Sequence, residues 1–345
     1  MMAFLPAGQA PMHDPPYPED PWLERFTGVA ALRAALALGW LDRLAAAPAE
    51  AAALAAEGPA AAELLDLLAA EGVIARDGAR VALAPRFAPV YAARGRALRA
   101  RLDFLARAAA DLLADPAAVF ADLPRHMARS ETFRLYRYDL AQADDAAGRE
   151  AARPWVEHVC ALTEAEAPRL VPALPLPERG RLLEIGGNAG EMALAILAAR
   201  PGLSAAVLDL PAVCALGRER CAGRPGAERL RFLAGDARRD AWPAPADAVL
   251  FKSVLHDWPP EEAEALLARA RAAAAPGAPV IVTERGPIET AAPAPFHLAA
   301  ELVFAPFFRP PEAYAAMMAR VGLVPGPPRR AHPSLPFFVI AGRAP

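Results

Sequence analysis

The feature of the sequence that most constrains its fold is the alternation of short apolar runs with helical segments after residue 176. Because the runs lack the polar alternation of half-exposed strands, they predict parallel strands that are buried on both faces of a sheet. Such an α/β domain binds its ligands beyond the carboxyl ends of the strands. The predicted strands span residues 181–185, 205–208, 230–233, 248–251, 279–283 and 337–341.

The first predicted strand runs into a glycine-rich turn, LEIGGNAG, which leads into a helix. A dinucleotide-binding turn needs glycine where this chain has Asn188 and Glu191. Glu184 and Glu191 would also place like charges around a pyrophosphate. The segment therefore disfavours NAD. It is compatible with a positively charged ligand without phosphate, such as S-adenosylmethionine, and equally with a plain tight turn.

Polar residues also follow the next three predicted strands. Asp209 ends the second strand, where a carboxylate can accept hydrogen bonds from both hydroxyls of a ribose. Asp236 ends the third strand, where it can accept a hydrogen bond from an adenine amine or simply form a turn. The fourth strand ends in KSVLHDW, which contains the only lysine of the chain, Lys252, and the only asparagine is Asn188. Both of these residues fall in the same predicted pocket.

Upstream of residue 176 the sequence predicts helices. An amphipathic helix is expected over residues 21–44, followed by two shorter helices and a hairpin with strands at 73–76 and 80–83. This order is the outline of a winged helix. The region from residue 46 to 90 has six acidic residues and three arginines, and this acidic balance opposes contact with phosphates. We therefore expect a structural and dimerising module that does not bind nucleic acid.

Composition and chain organisation narrow the possibilities further. The net charge of −3 gives no global attraction to nucleic acid or anionic membranes, and no apolar run reaches the about 20 residues that span a bilayer. Three cysteines without a CxxC pair indicate neither a disulfide framework nor a zinc site, so we expect no metal and a cytoplasmic location. The expected units are a loose tail (1–20), a winged-helix-like domain (21–95), a helical linker and acceptor-pocket region interrupted at Pro124 and Pro154 (96–175) and a catalytic domain (176–345).

The sequence resembles the S-adenosylmethionine-dependent O-methyltransferases of the plant caffeate type and their bacterial relatives. The resemblance covers most of the chain from about residue 22 and depends on LLEIGGNAG, VLDLP, AGD and above all FKSVLHDW. It implies a winged-helix dimerisation domain joined to a Rossmann-like class I methyltransferase domain. It also implies S-adenosyl-L-methionine as cofactor, a small-molecule methyl acceptor and a homodimer formed through the N-terminal helices.

The same resemblance implies roles for individual residues. His256 would be the general base and Glu284 its partner, because an imidazole can take a hydroxyl proton as the new bond forms. Asp257 is explained better as the start of a helix, because Pro259, Pro260 and Glu261 follow it. The residues expected at the cofactor are Glu184, Gly186, Asp209, Leu210, Asp236, Ala237, Lys252 and Trp258.

The chain departs from the family pattern beside the predicted base, where Phe308 replaces a second glutamate. The leading hypothesis is methylation of a hydroxyl oxygen. Methylation of a thioether sulfur or a carbon of a small acid, which needs no base, and a non-catalytic regulator remain as alternatives. Clustered arginines and tyrosines suit an anionic acceptor, and they suit a solvated face equally. The acceptor residues are predicted to be Arg134, Tyr136, Arg137, Tyr138, Phe304, Phe308 and Tyr314.

Overall fold

The computed structural model of the chain describes residues 15–289, 294–333 and 335–343. Its N-terminal part packs four short helices against a three-stranded sheet, in which Leu32, Trp40 and Leu68 lie in one buried core. The elements of this part are α1 (Phe26–Ala37), α2 (Trp40–Ala46), β1 (Ala49–Glu50), α3 (Ala51–Ala55), α4 (Ala61–Ala70), β2 (Ile74–Asp77) and β3 (Arg80–Leu83).

The single helix expected over residues 21–44 is two helices. Gly39 adopts a left-handed conformation with φ of +70° between α1 and α2, and glycine is the residue that most readily ends a helix in this way. The expected hairpin is present as β2 and β3, with Gly78 at φ of +58° in the turn. The helix, helix and hairpin therefore follow in the predicted order, and β1 pairs with β3.

Two long helices connect the N-terminal part to the rest of the chain. The helix α5 (Phe87–Ala114) runs through the boundary expected at residue 95, and α6 (Pro116–Ala121) and α7 (Leu123–Arg129) follow it. The break predicted at Pro154 is wrong, because α8 (Ala146–Leu170) continues through this residue. A mid-helix proline costs about 3 kcal/mol, and α8 offsets this cost by burying a face that includes Trp155, Val156 and Cys160.

The C-terminal part is a sheet of eight strands with helices on both faces. Leu182 and Leu250 pack in one core with α8 and the helix Glu191–Ala199. The alternate residues Leu183 and Val249 pack in another core with the helices Pro260–Ala273 and Pro311–Arg320. The strands are β4 (Arg179–Ile185), β5 (Gly202–Asp209), β6 (Leu230–Ala234), β7 (Ala248–Lys252), β8 (Pro279–Arg285), β9 (Val324–Pro325), β10 (Arg329–Arg330) and β11 (Phe337–Arg343). The helices are α9 (Glu191–Ala199), α10 (Pro211–Cys221), α11 (Pro260–Ala273), α12 (Ala299–Leu302) and α13 (Pro311–Arg320).

The order of the strands places the crevice for a ligand. The sheet order is β10-β11-β8-β7-β4-β5-β6, and β9 pairs with β11. The strands β4 to β8 run parallel, as expected, but β11 is antiparallel to β8. After β4 the chain adds β5 and β6 toward one edge of the sheet, and it then adds β7 and β8 on the opposite edge of β4. A ligand crevice therefore forms beyond the carboxyl ends of β4, β5 and β7.

The tail expected to be loose over residues 1–20 is packed in its described part. Tyr17, Glu19 and Asp20 are buried against α5. The guanidinium of Arg101 lies 4.1 Å from the centre of the Tyr17 ring, pairs with Glu19 at 3.1 Å and donates to Asp20 at 2.7 Å. Acidic residues that the sequence suggests are solvated are thus neutralised by Arg101, which lies 81 positions from Asp20 along the chain. Residues 1–14 lie outside the described residues, within which no helix is long and apolar enough to cross a membrane.

Replacing Arg101 with Met is expected to leave the buried Asp20 without its arginine and to remove one of the arginines that pair with Glu19, which should lower the free energy of unfolding by about 3 to 5 kcal/mol. Urea unfolding followed by circular dichroism measures the change. The matched control is Arg76→Met, because Arg76 and its partner Asp66 are largely exposed. Its cost should stay below about 1 kcal/mol. Equal costs for the two variants would show that the tail is not held by Arg101.

Candidate functional site

A deep cleft lies at the carboxyl ends of the central strands. It encloses about 1620 Å³ of space free of protein atoms, including its mouth, which is open to solvent. The loops after β4, β5, β6 and β7 form one wall, and residues of α5, α8 and α12 form the other.

The glycine-rich turn after β4 forms the floor of the cleft. Gly186 has φ of +63°, and a Cβ atom there would lie only 2.8 Å from the Val254 side chain. Asn188 also adopts a left-handed conformation, with φ of +53°. Asp209 holds this turn, because its Oδ2 accepts from the Asn188 backbone N–H at 2.8 Å and its Oδ1 accepts from that of Leu210 at 2.7 Å. Burial raises the pKa of Asp209 to about 6.

The charges around this turn differ from those expected. Burial raises the pKa of Glu184 to about 8, so this carboxyl is largely protonated at neutral pH, and it lines a smaller cavity beside the cleft. Glu191 points away and is neutralised by Arg220 and Arg224. Contrary to expectation, Glu184 and Glu191 therefore do not present two negative charges to a pyrophosphate. What opposes a dinucleotide is Asn188, whose side chain stands where the close approach of a phosphate needs glycine.

The far end of this half of the cleft is lined by Asp236, Ala237 and Trp258. Asp236 accepts a hydrogen bond from Arg238 at 2.9 Å, and this contact lowers the pKa of Asp236. The Arg238 guanidinium lies 4.2 Å from the centre of the Trp258 ring. Carboxylates at Asp209 and Asp236, with apolar surface between them, suit the ribose and base of a nucleoside, so the residues present fit S-adenosylmethionine.

Lys252 lines the same cleft but is already occupied by protein partners. Its Nζ donates to Glu166 at 2.6 Å and to Thr163 at 3.1 Å, and both of these residues lie on α8. Lys252 is therefore placed as an anchor between β7 and α8 rather than as a free cation for a ligand.

The next part of the site is an imidazole held by carboxylates. The Nδ1 atom of His256 lies 2.6 Å from Oε2 of Glu284, and its Nε2 lies 3.3 Å from Oδ1 of Asp257. Burial opposes the charged imidazolium, but Glu284 and Asp257 overcome it and raise the pKa of His256 above its usual 6.5. Because the Glu284 oxygen accepts a hydrogen bond, we assign the proton of neutral His256 to Nδ1. Its Nε2 is then the atom that can take a proton.

The loop that carries His256 is held through both its backbone N–H groups and its backbone oxygens. Oε1 of Glu284 accepts from the backbone N–H groups of Val254 and Leu255, each at 2.8 Å. Arg309 donates to the backbone oxygens of Leu255 and Trp258. The sequence analysis did not predict a role for Arg309. The one feature that could have indicated it is that Arg309 follows Phe308, where the sequence departs from the family pattern.

Aromatic side chains form much of the opposite wall. The ring of Phe308 meets His256 edge-on, with 5.6 Å between the ring centres. The hydroxyl of Tyr138 donates to Asp257 at 3.2 Å. Sequence reasoning missed Trp155, which packs on both Tyr136 and Tyr138. The aromatic residues that line the cleft on this side are Tyr136, Tyr138, Trp155, Phe304 and Phe308.

Three residues predicted for the acceptor do not lie in this wall. Arg134 and Arg137 are exposed and pair with Glu131 and Asp139. Tyr314 is fully buried and packs on Phe338 in the core beneath the sheet. The expected cluster of arginines and tyrosines therefore does not form in the cleft.

The inner end of the cleft is built from residues that carry no local motif. They come from the N-terminal segment, from both long helices and from the end of β8, so only the fold brings them together. Those that line the cleft are Tyr17, Arg101, His158 and Arg285.

Comparisons with known proteins agree with this geometry. Residues 154–298 match the family described as the O-methyltransferase domain. The chain is 31% identical over 266 residues to the N,N-dimethyltransferase OxyT of Streptomyces rimosus, which covers 73% of each chain. The solved structure of the mitomycin 7-O-methyltransferase MmcR superposes with a TM-score of 0.72 at 23% identity, over 92% of this chain and 94% of that one. Human N-acetylserotonin methyltransferase in complex with SAM gives a TM-score of 0.63 at 20% identity, over 91% and 93%.

The variant Asp209→Asn keeps the shape of the side chain and removes the charge that would face a ribose. The loss of charged hydrogen bonds worth about 1.5 to 3 kcal/mol should weaken binding of S-adenosylhomocysteine roughly 10- to 150-fold. Isothermal titration calorimetry measures this affinity. Asp139→Asn is the control, because Asp139 pairs with Arg137 on the surface.

The pH dependence gives the same test a second readout. Since ribose hydroxyls donate to the ionised carboxylate, the wild-type affinity should fall as the pH drops through about 6, where Asp209 takes up a proton. The Asn variant should lack this step. Retention of wild-type affinity and of its pH step in Asp209→Asn would remove Asp209 from the cofactor site.

Proposed function

This chain belongs to the O-methyltransferase family of S-adenosylmethionine-dependent enzymes, and we propose that it methylates a hydroxyl oxygen of a small aromatic molecule with His256 as general base. Its C-terminal domain has the class I methyltransferase fold. The proposal rests on the His256–Glu284 pair, because the cleft that His256 lines is also lined by Asp209 and by the aromatic residues Tyr136 and Phe304.

In this proposal the cofactor lies in the half of the cleft that the glycine-rich turn lines. Asp209 binds the ribose, Asp236 and Trp258 lie at the base, and Gly186 gives the turn its close approach. Leu210 and Ala237 supply apolar contacts. Bound S-adenosylmethionine would supply a methyl group on a positively charged sulfur, and the carbon–sulfur bond that breaks on transfer would leave S-adenosylhomocysteine as a neutral thioether. Neither Glu184 nor Lys252 needs to touch it, because the first is protonated and the second is paired with Glu166.

The acceptor lies against the aromatic wall, where Tyr136, Phe304 and Phe308 can pack on a flat ring. Its hydroxyl faces His256. As the oxygen forms its bond to the methyl group, the O–H bond breaks and the proton passes to Nε2. Glu284 stabilises the imidazolium that results. Much of the acceleration comes from holding the acceptor and the methyl group in line.

A second candidate is methylation of an amine, because the relative OxyT is named an N,N-dimethyltransferase. An amine also loses a proton during methylation, so the same base serves it. A thioether acceptor, by contrast, has no proton to lose and gives the costly buried His256–Glu284 pair no task. Mass spectrometry of products formed from pooled phenols and pooled aromatic amines, with isotope-labelled cofactor, separates these acceptors.

We also propose that the chain forms a homodimer through its N-terminal helices. The support is limited to two side chains, because Leu23, Val29 and Leu32 of the apolar stripe are buried within one chain. Phe26 and Leu38 remain 61% and 49% exposed at the two ends of α1. Light scattering should give twice the chain mass for the protein and one chain mass for a variant with Phe26→Asp and Leu38→Asp. A wild-type monomer at micromolar concentration contradicts the dimer.

The variant His256→Gln should lower kcat by about 10²- to 10⁴-fold, the usual contribution of a general base. The affinity for S-adenosylhomocysteine should stay nearly unchanged, because His256 lies outside the proposed nucleoside site. Initial rates with the acceptor found in the screen measure kcat, and calorimetry measures the affinity. Turnover close to that of the wild type would mean that His256 removes no proton.

The pH profile tests the same role without removing the imidazole. A base acts only when it is unprotonated, and carboxylates raise the pKa of His256 above 6.5. The rate should therefore fall as the pH drops through a midpoint above 6.5. Glu284→Gln removes one of these charges and should move the midpoint to lower pH. A midpoint that does not move in this variant would separate the pH dependence from the pair.

A further inference from the structure

One buried carboxylate outside the His256–Glu284 pair contacts the last residues of β7 and β8, the two strands next to that pair. Glu166 of α8 has no exposed surface. Its Oε1 accepts from the hydroxyl of Tyr17 at 2.6 Å and from Nη2 of Arg285, and its Oε2 accepts from Nζ of Lys252 at 2.6 Å. Burial opposes its charge, but Lys252 and Arg285 keep the pKa of Glu166 well below the usual range.

The two cations have particular places in the chain. Lys252 is the last residue of β7, and the loop with His256 begins directly after it. Arg285 is the last residue of β8 and follows Glu284. The strands are parallel neighbours, with Lys252 opposite Thr283. Glu166 therefore joins the two strand ends from which His256 and Glu284 project.

Without this carboxylate the two strand ends would repel each other. The ammonium of Lys252 and the guanidinium of Arg285 both lie over the ring of Phe337, at 5.6 and 5.0 Å from its centre. Two positive charges this close to one ring destabilise each other in a site of low dielectric. Glu184, the other carboxyl near Lys252, is also buried, and burial raises its pKa, so its charged form is disfavoured beside Lys252.

We infer that Glu166 is a positioning residue for methyl transfer, and that it acts by holding β7 and β8 at the spacing at which His256 meets Glu284. The inference rests on the proposed role of His256 as base. It adds the N-terminal segment to the site, because Tyr17 donates to Glu166 and accepts from Arg285 at 2.9 Å. A displacement of about 1 Å is enough to cost roughly 100-fold in rate.

The test compares Glu166→Gln with Glu164→Gln. Glu164 lies on the same helix and is also ion-paired, but its partners are Arg94 and Arg220, which contact neither strand end. The first readout is the pKa of His256, measured by NMR on protein with ¹³C-labelled histidine and bound S-adenosylhomocysteine. This readout needs no acceptor, and the His256 signal is assigned by its loss in His256→Gln.

In Glu166→Gln the pKa of His256 should fall by about 1 unit, because the contact with Glu284 loosens. In Glu164→Gln it should stay at the wild-type value. If Glu166 acts through Glu284, it should cause no further shift in a protein that already carries Glu284→Gln. An equal shift in that background, or an unchanged pKa in Glu166→Gln, overturns the inference.

The second readout separates positioning from stability. With a methylated acceptor in hand, Glu166→Gln should lower kcat by roughly 10- to 100-fold and change the acceptor KM far less. A lower melting temperature with unchanged kcat and unchanged pKa of His256 would mean a structural role only. Failure of the base hypothesis has another signature, since His256→Gln would then keep its turnover whatever Glu166 does.

A conservative variant covers the case in which Glu166→Gln does not fold. Tyr17→Phe removes one hydrogen bond to Glu166 and leaves every charge in place. It should shift the pKa of His256 in the same direction by a smaller amount. No shift in a folded Tyr17→Phe protein with wild-type melting temperature would contradict the role given to the N-terminal segment.

Discussion

The geometry of the site depends on the carboxylate of Glu284. A fully buried carboxylate is unfavourable unless its oxygens find donors. Here Oε1 takes two backbone N–H groups of the loop after β7, which leaves Oε2 for the imidazole of His256. One side chain thus fixes the loop, the orientation of the imidazole and the nitrogen that carries its proton. Arg309 closes the arrangement by donating to carbonyl oxygens of the same loop.

The sheet brings this pair to the cofactor half of the cleft. Because β4 lies between β5 and β7, the turn after β4, which Asp209 holds, and the loop that carries His256 diverge around one crevice. The helices upstream in the chain then close the crevice, with α8 supplying both Trp155 to the aromatic wall and Glu166 to the strand ends. In the proposed function, the cofactor, the acceptor and the base are therefore positioned by three different parts of the chain.

The parts of the site that the sequence predicts are those formed by residues close together in the chain. The strand ends at Asp209, Asp236, Lys252 and Glu284 were predictable, because short apolar runs mark the strands and parallel strands share one edge. The contacts of Glu166 were not, since Lys252 is 86 residues away and Arg285 is 119 residues away. Arg134 and Arg137, which were predicted to contact the acceptor, instead pair with residues close to them in the sequence. Nearby acidic residues satisfy both arginines on the surface.

The hydrogen bond to Glu284 assigns the proton of neutral His256 to Nδ1, and Nε2, which lies beside Asp257, is then the nitrogen that can accept the proton of the acceptor. The ¹⁵N chemical shifts of the imidazole report this directly, in labelled protein with bound S-adenosylhomocysteine above the pKa of His256. We expect a protonated Nδ1 and an unprotonated Nε2. The opposite tautomer, with the proton on Nε2, would contradict this assignment.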